Sequence, residues 1–373
     1  MAQRSRIVGA AVVLLLVGAV LSGCGAAPVA QNWPGLTVEG DTVYVISGLP
    51  QQVYMLDVEN GQPQGTFIPS GEHQGVIYWS PVAPGPEAAY VGFGESQTGI
   101  MALFAFDPET GQELWSAPAQ DLIIGAPVYA DGMVYFGDSA GILYAVDAES
   151  GTSTWSFQAE DAIWSPVFVH DGRVYVPSMD HYLYCLDANT GQEIWKQKLD
   201  GAMAEPPSLA ATTGTLYIGN LDGKVYALDL ESGEPDEGFE FQAENWIWSE
   251  VLIEDEQLYV TSLDGKLYAL NADDGSAIAP FPSDDAGSPL RAAPVLAGES
   301  ILVASEEGRV VAVDSETAMP RWEWPGGAPE AGVLTTPVVQ DGVVFVVLLN
   351  GKVQTLDAET GAQIWTFEPP EGE

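Results

Sequence analysis

The chain has 373 residues, 53 of them Asp or Glu against 11 Lys or Arg, for a formal net charge of −42. With 46% hydrophobic residues it can build a core, which excludes an acidic disordered segment, and it lacks the basic surface that nucleic-acid binding needs. Its 41 Gly and 26 Pro favour short strands and turns over long helices, and its length exceeds the roughly 250–300 residues at which one compact core stops growing.

Reading from the N-terminus, Arg4 and Arg6 precede an uncharged apolar run, residues 7–20, which leads into Leu21, Ser22, Gly23 and Cys24. The run is shorter than the about 20 apolar residues of a membrane span, and it suits a signal-peptide core. The four residues that end it resemble the lipobox of bacterial lipoproteins, in which the Cys is acylated and becomes the first residue after cleavage. Residues 1–23 are therefore read as a lipoprotein signal peptide, Cys24 as the lipidation site and 24–32 as a tether that keeps the body at an envelope membrane. Cleavage would remove two of the cations and none of the acids.

The rest of the chain repeats. The segment Leu-Tyr-Ala-Val-Asp-Ala-Glu-Ser-Gly at 143–151 recurs with variation at 53–61, 103–111, 183–191, 225–233, 267–275, 310–318 and 353–361. Its anchoring Asp falls at Asp57, Asp107, Asp147, Asp187, Asp229, Asp314 and Asp357, with Asn271 in the sixth copy. A Trp follows at Trp115, Trp155, Trp195, Trp322 and Trp365, and Phe67 and Phe239 are expected to replace it in the first and fifth copies. Cys185 stands where other copies have Ala, and is read as a small buried residue.

Each copy reads as four short strands. In the fourth, Asp171-Gly172 separates the first two and Asn189-Thr190-Gly191 the last two. Asp-Gly between β-rich runs is a strong hairpin signal, because a tight hairpin needs positive φ there. Runs such as Leu-Tyr-Ala-Val are apolar on both faces and fit strands sandwiched between neighbours. Four strands per unit of about 40–45 residues describe a propeller blade. The predicted fold is all-β, an eight-bladed β-propeller over residues 33–367, followed by an acidic tail, 368–373. The consensus Leu-Tyr-Ala-Leu-Asp-Ala-x-Thr-Gly-x-x-x-Trp, which the copies approximate, resembles the PQQ-like β-propeller repeat. The resemblance implies that the Trp packs between blades. The repeated Asp suits a turn cap.

In such a meander the A–B and C–D turns lie on one face and the B–C and D–A connections on the other. The longest connections, 68–78, 94–102 and 282–290, all belong to the second face, which is therefore the candidate binding face. Trp33, Trp79, Trp164 and Trp248 stand near the start of strand A, with Trp246 close by, and are expected near the mouth of the central channel. There they either plug the channel or anchor a ligand. Lys224, Lys266, Arg309 and Lys352 follow the B–C turn in four successive copies, and Arg291 lies in a D–A connection of the same face. The opposite face carries an acidic ring of Glu59, Glu109, Glu149, Glu231, Asp273, Glu316 and Glu359.

No catalytic or metal-ligating constellation is expected. His73, His170 and His181 have no ligand spacing, and no P-loop or nucleophile elbow occurs. Quinone-dependent dehydrogenases share this blade type and carry an adjacent Cys pair beside the cofactor, whereas this chain has no such pair. No cofactor is expected. The resemblance extends instead to short, lipid-anchored, non-catalytic members that act in outer-membrane protein assembly. The expected function is an exported, membrane-anchored scaffold, monomeric in fold, that binds an envelope protein. It would sit on the outer face of a plasma membrane or the periplasmic face of an outer membrane. The alternatives are a PQQ-dependent oxidoreductase and a small-ligand or glycan sensor.

Overall fold

The computed structural model describes residues 35–47, 52–70, 77–95, 99–281 and 288–370. The signal segment 1–23, Cys24, the tether 24–32, Trp33 and His73 lie outside the described residues, as do the last residues of the tail and the side chain of Trp79.

The fold is an eight-bladed β-propeller of antiparallel meanders. Within each blade the strands run A to D from the inside outward. Blade one comprises Leu36–Glu39, Thr42–Ser47, Gln52–Asp57 and Pro63–Phe67. In blade two strand A is split into Ile77–Trp79 and Ala83–Pro84, ahead of Ala89–Glu95, Met101–Phe106 and Glu113–Pro118. Blade three comprises Val128–Ala130, Met133–Gly137, Ile142–Asp147 and Ser153–Gln158, and blade four Phe168–His170, Arg173–Pro177, Tyr182–Asp187 and Glu193–Lys198. Blade five follows with Ser208–Ala210, Thr215–Gly219, Lys224–Asp229 and Phe241–Gln242. Blade six has Leu252–Glu254, Gln257–Thr261 and Leu267–Asn271, with its outer edge described only as a bridge from Leu270 to Ala277. Blade seven is Val295–Ala297, Ser300–Ala304, Val310–Asp314 and Pro320–Trp324, and blade eight Val338–Gln340, Val343–Val347, Val353–Asp357 and Gln363–Phe367.

The repeat residues explain why the blades form and how they join. Asp131-Gly132, Asp171-Gly172 and Asp341-Gly342 all have positive φ, as a two-residue hairpin requires. In the C–D turn the repeated Asp accepts hydrogen bonds from the backbone two or three residues on. Asp187 Oδ1, for example, takes the N–H of Asn189 at 3.1 Å and of Thr190 at 2.9 Å. The turn then closes on Gly191, whose φ is 68°. A Cβ on Gly191 would meet the ring of Trp155, from the preceding blade, at 2.5 Å. The same contact joins Trp115 to Gly151, Trp195 to Gly233, Trp322 to Gly361 and Trp365 to Gly61. Glycine is thus required twice over, for the turn and for the ring that covers it.

The seams of blades two with three and three with four are each tied again at one carbonyl. Ala188 O accepts from Trp155 Nε1 at 2.9 Å and from Tyr135 Oη at 3.3 Å, and Ala148 O accepts likewise from Trp115 and Tyr90. The expectation that Phe67 replaces the missing Trp of blade one is corrected by the register. Gly65, not Phe67, pairs with Met55 where the other blades place Trp, and the Met55 methyl group fills the space. Phe67, two residues further on, stacks on Phe106 of blade two at 4.4 Å. Phe239 does take the Trp role, with its ring 5.7 Å from Tyr217. Phe281 does the same in blade six, 6.0 Å from Tyr259.

The ring closes without strand exchange. Blade eight packs on blade one through Val43, Val45, Phe345 and Val347, while Trp365 Nε1 donates to Val58 O at 3.2 Å and Gln340 Nε2 to Gly40 O at 2.9 Å.

Candidate binding face

The antiparallel strand order places the described B–C turns and D–A connections on one face. Lys224, Lys266, Arg309 and Lys352 stand on that face at the start of strand C in blades five to eight. Each is held by an acid. Lys224 pairs with Asp200 and Arg309 with Glu323, while Lys266 meets Glu244 at 3.0 Å. Lys352 meets Glu330 at 2.8 Å and Glu368 at 2.9 Å. The five cations therefore do not make a basic patch. Arg291 is the most buried of them. Its guanidinium lies 4.5 Å from the Trp248 ring centre and 2.8 Å from the Glu306 carboxylate.

Trp164, Trp246 and Trp248 are all half-buried on this face, before strand A of blades four and six. The Trp164 indole donates to Ser139 Oγ at 3.2 Å, which fixes the ring against blade three. On the opposite face the seven acids of the ring are exposed, and of them Glu231 is engaged by Arg173 at 2.6 Å.

Two residues that the sequence reading missed lie further in. Glu205 and Glu250 stand just before strand A of blades five and six. Burial, and then the charge of Glu250, push the Glu205 carboxyl up to about 8. Burial raises the Glu250 carboxyl too, although part of its surface stays open, and the Ser208 hydroxyl opposes this by donating to it at 3.3 Å. No Lys or Arg among the described residues pairs with either carboxylate. Their signal in the sequence is alignment alone. Glu205 occupies the position of Gly125, Ser165 and Ser249, where every other described blade carries a small residue.

Cys185, His170 and His181 lie in or beside the strands of blade four. Cys185 is fully buried in strand C of blade four, and burial pushes its thiol up to about 11, which keeps it in the protonated form at neutral pH. His170 stacks on Phe168, and His181 Nδ1 lies 2.8 Å from Asp200 O. Among the described residues no group of three His, Cys, Asp or Glu side chains could hold a metal ion.

Comparison with known proteins places this geometry. No curated protein sequence matches the chain. Among solved structures, BamB from Moraxella catarrhalis is similar at 22% identity and a TM-score of 0.63, over 77% of this chain and 87% of that one. The computationally designed Ika8 protein is similar at 16% identity and a TM-score of 0.69, over 87% and 96%. A europium-containing methanol dehydrogenase is similar at 14% identity and a TM-score of 0.67, over 87% and 82%. At these identities the three share the fold. A family model described as outer membrane protein assembly factor BamB matches residues 90–166, 161–213, 207–278 and 282–373. With blades two to eight matched in this way, the chain belongs to that BamB family of PQQ-like propellers.

Proposed function

We propose that this propeller is a non-catalytic scaffold of the cell envelope, held to a membrane through Cys24, that binds a protein partner on its B–C and D–A face. Membership of the assembly-factor family is the observation that carries the reading. The chemistry of the face supports it. Half-buried Trp164 and Trp246 offer apolar anchors, and cations of the same face are already paired with acids, as suits shape-directed protein contact.

The oxidoreductase alternative fits these residues poorly. A quinone bearing three carboxylates would meet Glu205 and Glu250 near the axis, and Arg291, the most buried cation of this face, is committed to Glu306. Cys185, the sole cysteine in the blades, is sealed in a strand and has no adjacent partner.

The test is site-specific photocrosslinking in native membranes. A crosslinker at Asn350, in a B–C turn, should capture one defined envelope protein, and one at Glu149, in a C–D turn, should not. Equal capture from both faces overturns the assignment of the face. A saturable absorbance change with PQQ and calcium, together with dye-linked oxidation of an alcohol, overturns the scaffold reading. Cys24→Ala should move the protein from the membrane to the soluble fraction, and unchanged fractionation refutes the anchor.

A further inference from the structure

Among the described residues the Arg291 guanidinium occupies an internal cation site, and it shows what a second would look like. Just before strand A, a backbone N–H donates to the carbonyl of the preceding blade's B–C turn. Ile163 N binds Asp138 O at 3.1 Å, Ile247 N binds Asn220 O at 3.1 Å and Leu290 N binds Ser262 O at 3.2 Å. The residue that follows is Trp164, Trp248 and Arg291 respectively, so these three are equivalent around the ring. Blades six and seven therefore set a Trp beside a cation at the same position one blade on. Arg291 stacks on Trp248 and pairs with a carboxylate, Glu306. Stacking on the ring and pairing with an acid is a strong arrangement for a guanidinium.

Blades four and five repeat half of this arrangement. Trp164 is in place, half-buried and fixed by Ser139. The Arg291 position is taken by Ala204, which is too short to cover the ring. The next residue is Glu205, and Glu250 stands beyond it on blade six. Ser165, at the Glu205 position of blade four, is only 2% exposed and its Oγ has no partner. The equivalent Gly125 shows where that side chain points, since a Cβ on Gly125 would lie 2.5 Å from the backbone of Ser165 one blade on. By the same geometry Ser165 faces Glu205. By these equivalences an aromatic ring, two carboxylates without a cation partner and a buried hydroxyl without a hydrogen bond line the inner ring at the position where the neighbouring site holds a guanidinium.

We propose that the inner ring between blades four and six binds an organic cation, a primary alkylammonium or guanidinium group of the kind a lysine or arginine side chain carries. The group would stack on Trp164 over Ala204 and pair with Glu205 and Glu250. The site stands apart from the scaffold reading, since a free metabolite or a partner's side chain could supply the cation.

The probes are n-butylammonium and methylguanidinium, added to the full-length protein at pH 9 and at pH 6, with tryptophan fluorescence and calorimetry as readouts. Saturable binding of at least one is expected. It should be tighter at pH 9, because Glu205 releases its proton to pair with the cation. Glu205→Gln should weaken it about tenfold or more. Ala204→Arg, which places the chain's own guanidinium at the Arg291 position, should abolish binding of the added cation and raise the thermal midpoint. No saturable binding of either probe to the wild type overturns the proposal. So do equal binding to Glu205→Gln and a response to calcium ion alone. Photocrosslinking from Asn350 is independent of all these outcomes, so failure here leaves the scaffold reading separately testable.

Discussion

Glu205 ionises at the expense of folding. Its carboxyl sits at about 8 in the folded protein, above the ordinary glutamate value, so the folded state holds the proton more tightly than the unfolded chain does. Below the ordinary glutamate range the residue has no effect on stability. As pH rises towards 8 the penalty grows, and above 8 it is complete. Glu205→Gln should therefore stabilise the protein at pH 9, by on the order of a few kcal/mol at most, and leave it unchanged at pH 4. Urea unfolding at the two pH values checks this, and a gain independent of pH would contradict the assignment. The tryptophans allow a second comparison between near-identical sites. Trp155 Nε1 donates to Ala188 O, but Trp195 Nε1 is buried without a partner, because Leu230 O already accepts from Arg173 and Tyr175. Trp155→Phe should cost about 1 kcal/mol more than Trp195→Phe, the worth of one hydrogen bond.

At the scale of the element, the C–D turn concentrates the fold's requirements. Gly191 and Gly172 both have positive φ, but a Cβ at Gly191 strikes the Trp155 ring while one at Gly172 meets nothing within 4 Å. Gly172→Ala should cost about 1 kcal/mol, for the backbone alone, and Gly191→Ala at least about 2 kcal/mol. Chemical denaturation of the two variants measures the difference. The turn aspartates contribute to the acid limit. Hydroxyls of Ser150, Thr190, Ser232 and Thr360 hold Asp147, Asp187, Asp229 and Asp357 below the usual carboxylate range. Their contribution is present above that range and is lost as pH falls from it to their lowered values. Calorimetric scans from neutral to strongly acid pH should show the midpoint dropping steeply only once these groups protonate. This element was the most legible in the sequence, since Asp, Gly and Trp each answer to a local rule. Phe281 was not legible, because its blade lacks the Gly-x-x-x-Trp spacing and only the fold brings its ring to Tyr259. Phe67 was misread for a related reason. An aromatic two residues from Gly65 suggested a substitution that the strand register does not allow.

Across the whole molecule the blade count and the division into faces followed from spacing and connection length, whereas the inner carboxylates did not. Glu205 precedes Pro206 and Pro207, outside any strand pattern, and its nearness to Glu250 is set by the ring, 45 residues along the chain. The ring also has an uneven circumference. The seam between blades one and two is packed by Met55, Phe67 and Phe106 and has no indole clamp, while the other described seams carry Trp or its Phe substitute. The last feature is the closure. Blade one is built wholly from the start of the propeller sequence and blade eight wholly from its end, and side-chain packing with a few hydrogen bonds joins them. The position of the chain ends is therefore a matter of history rather than mechanics. The ring could be re-cut at another D–A connection with blade eight joined to blade one, and the same ring would assemble. Gain or loss of a blade would require one seam to part and no strand to be re-threaded.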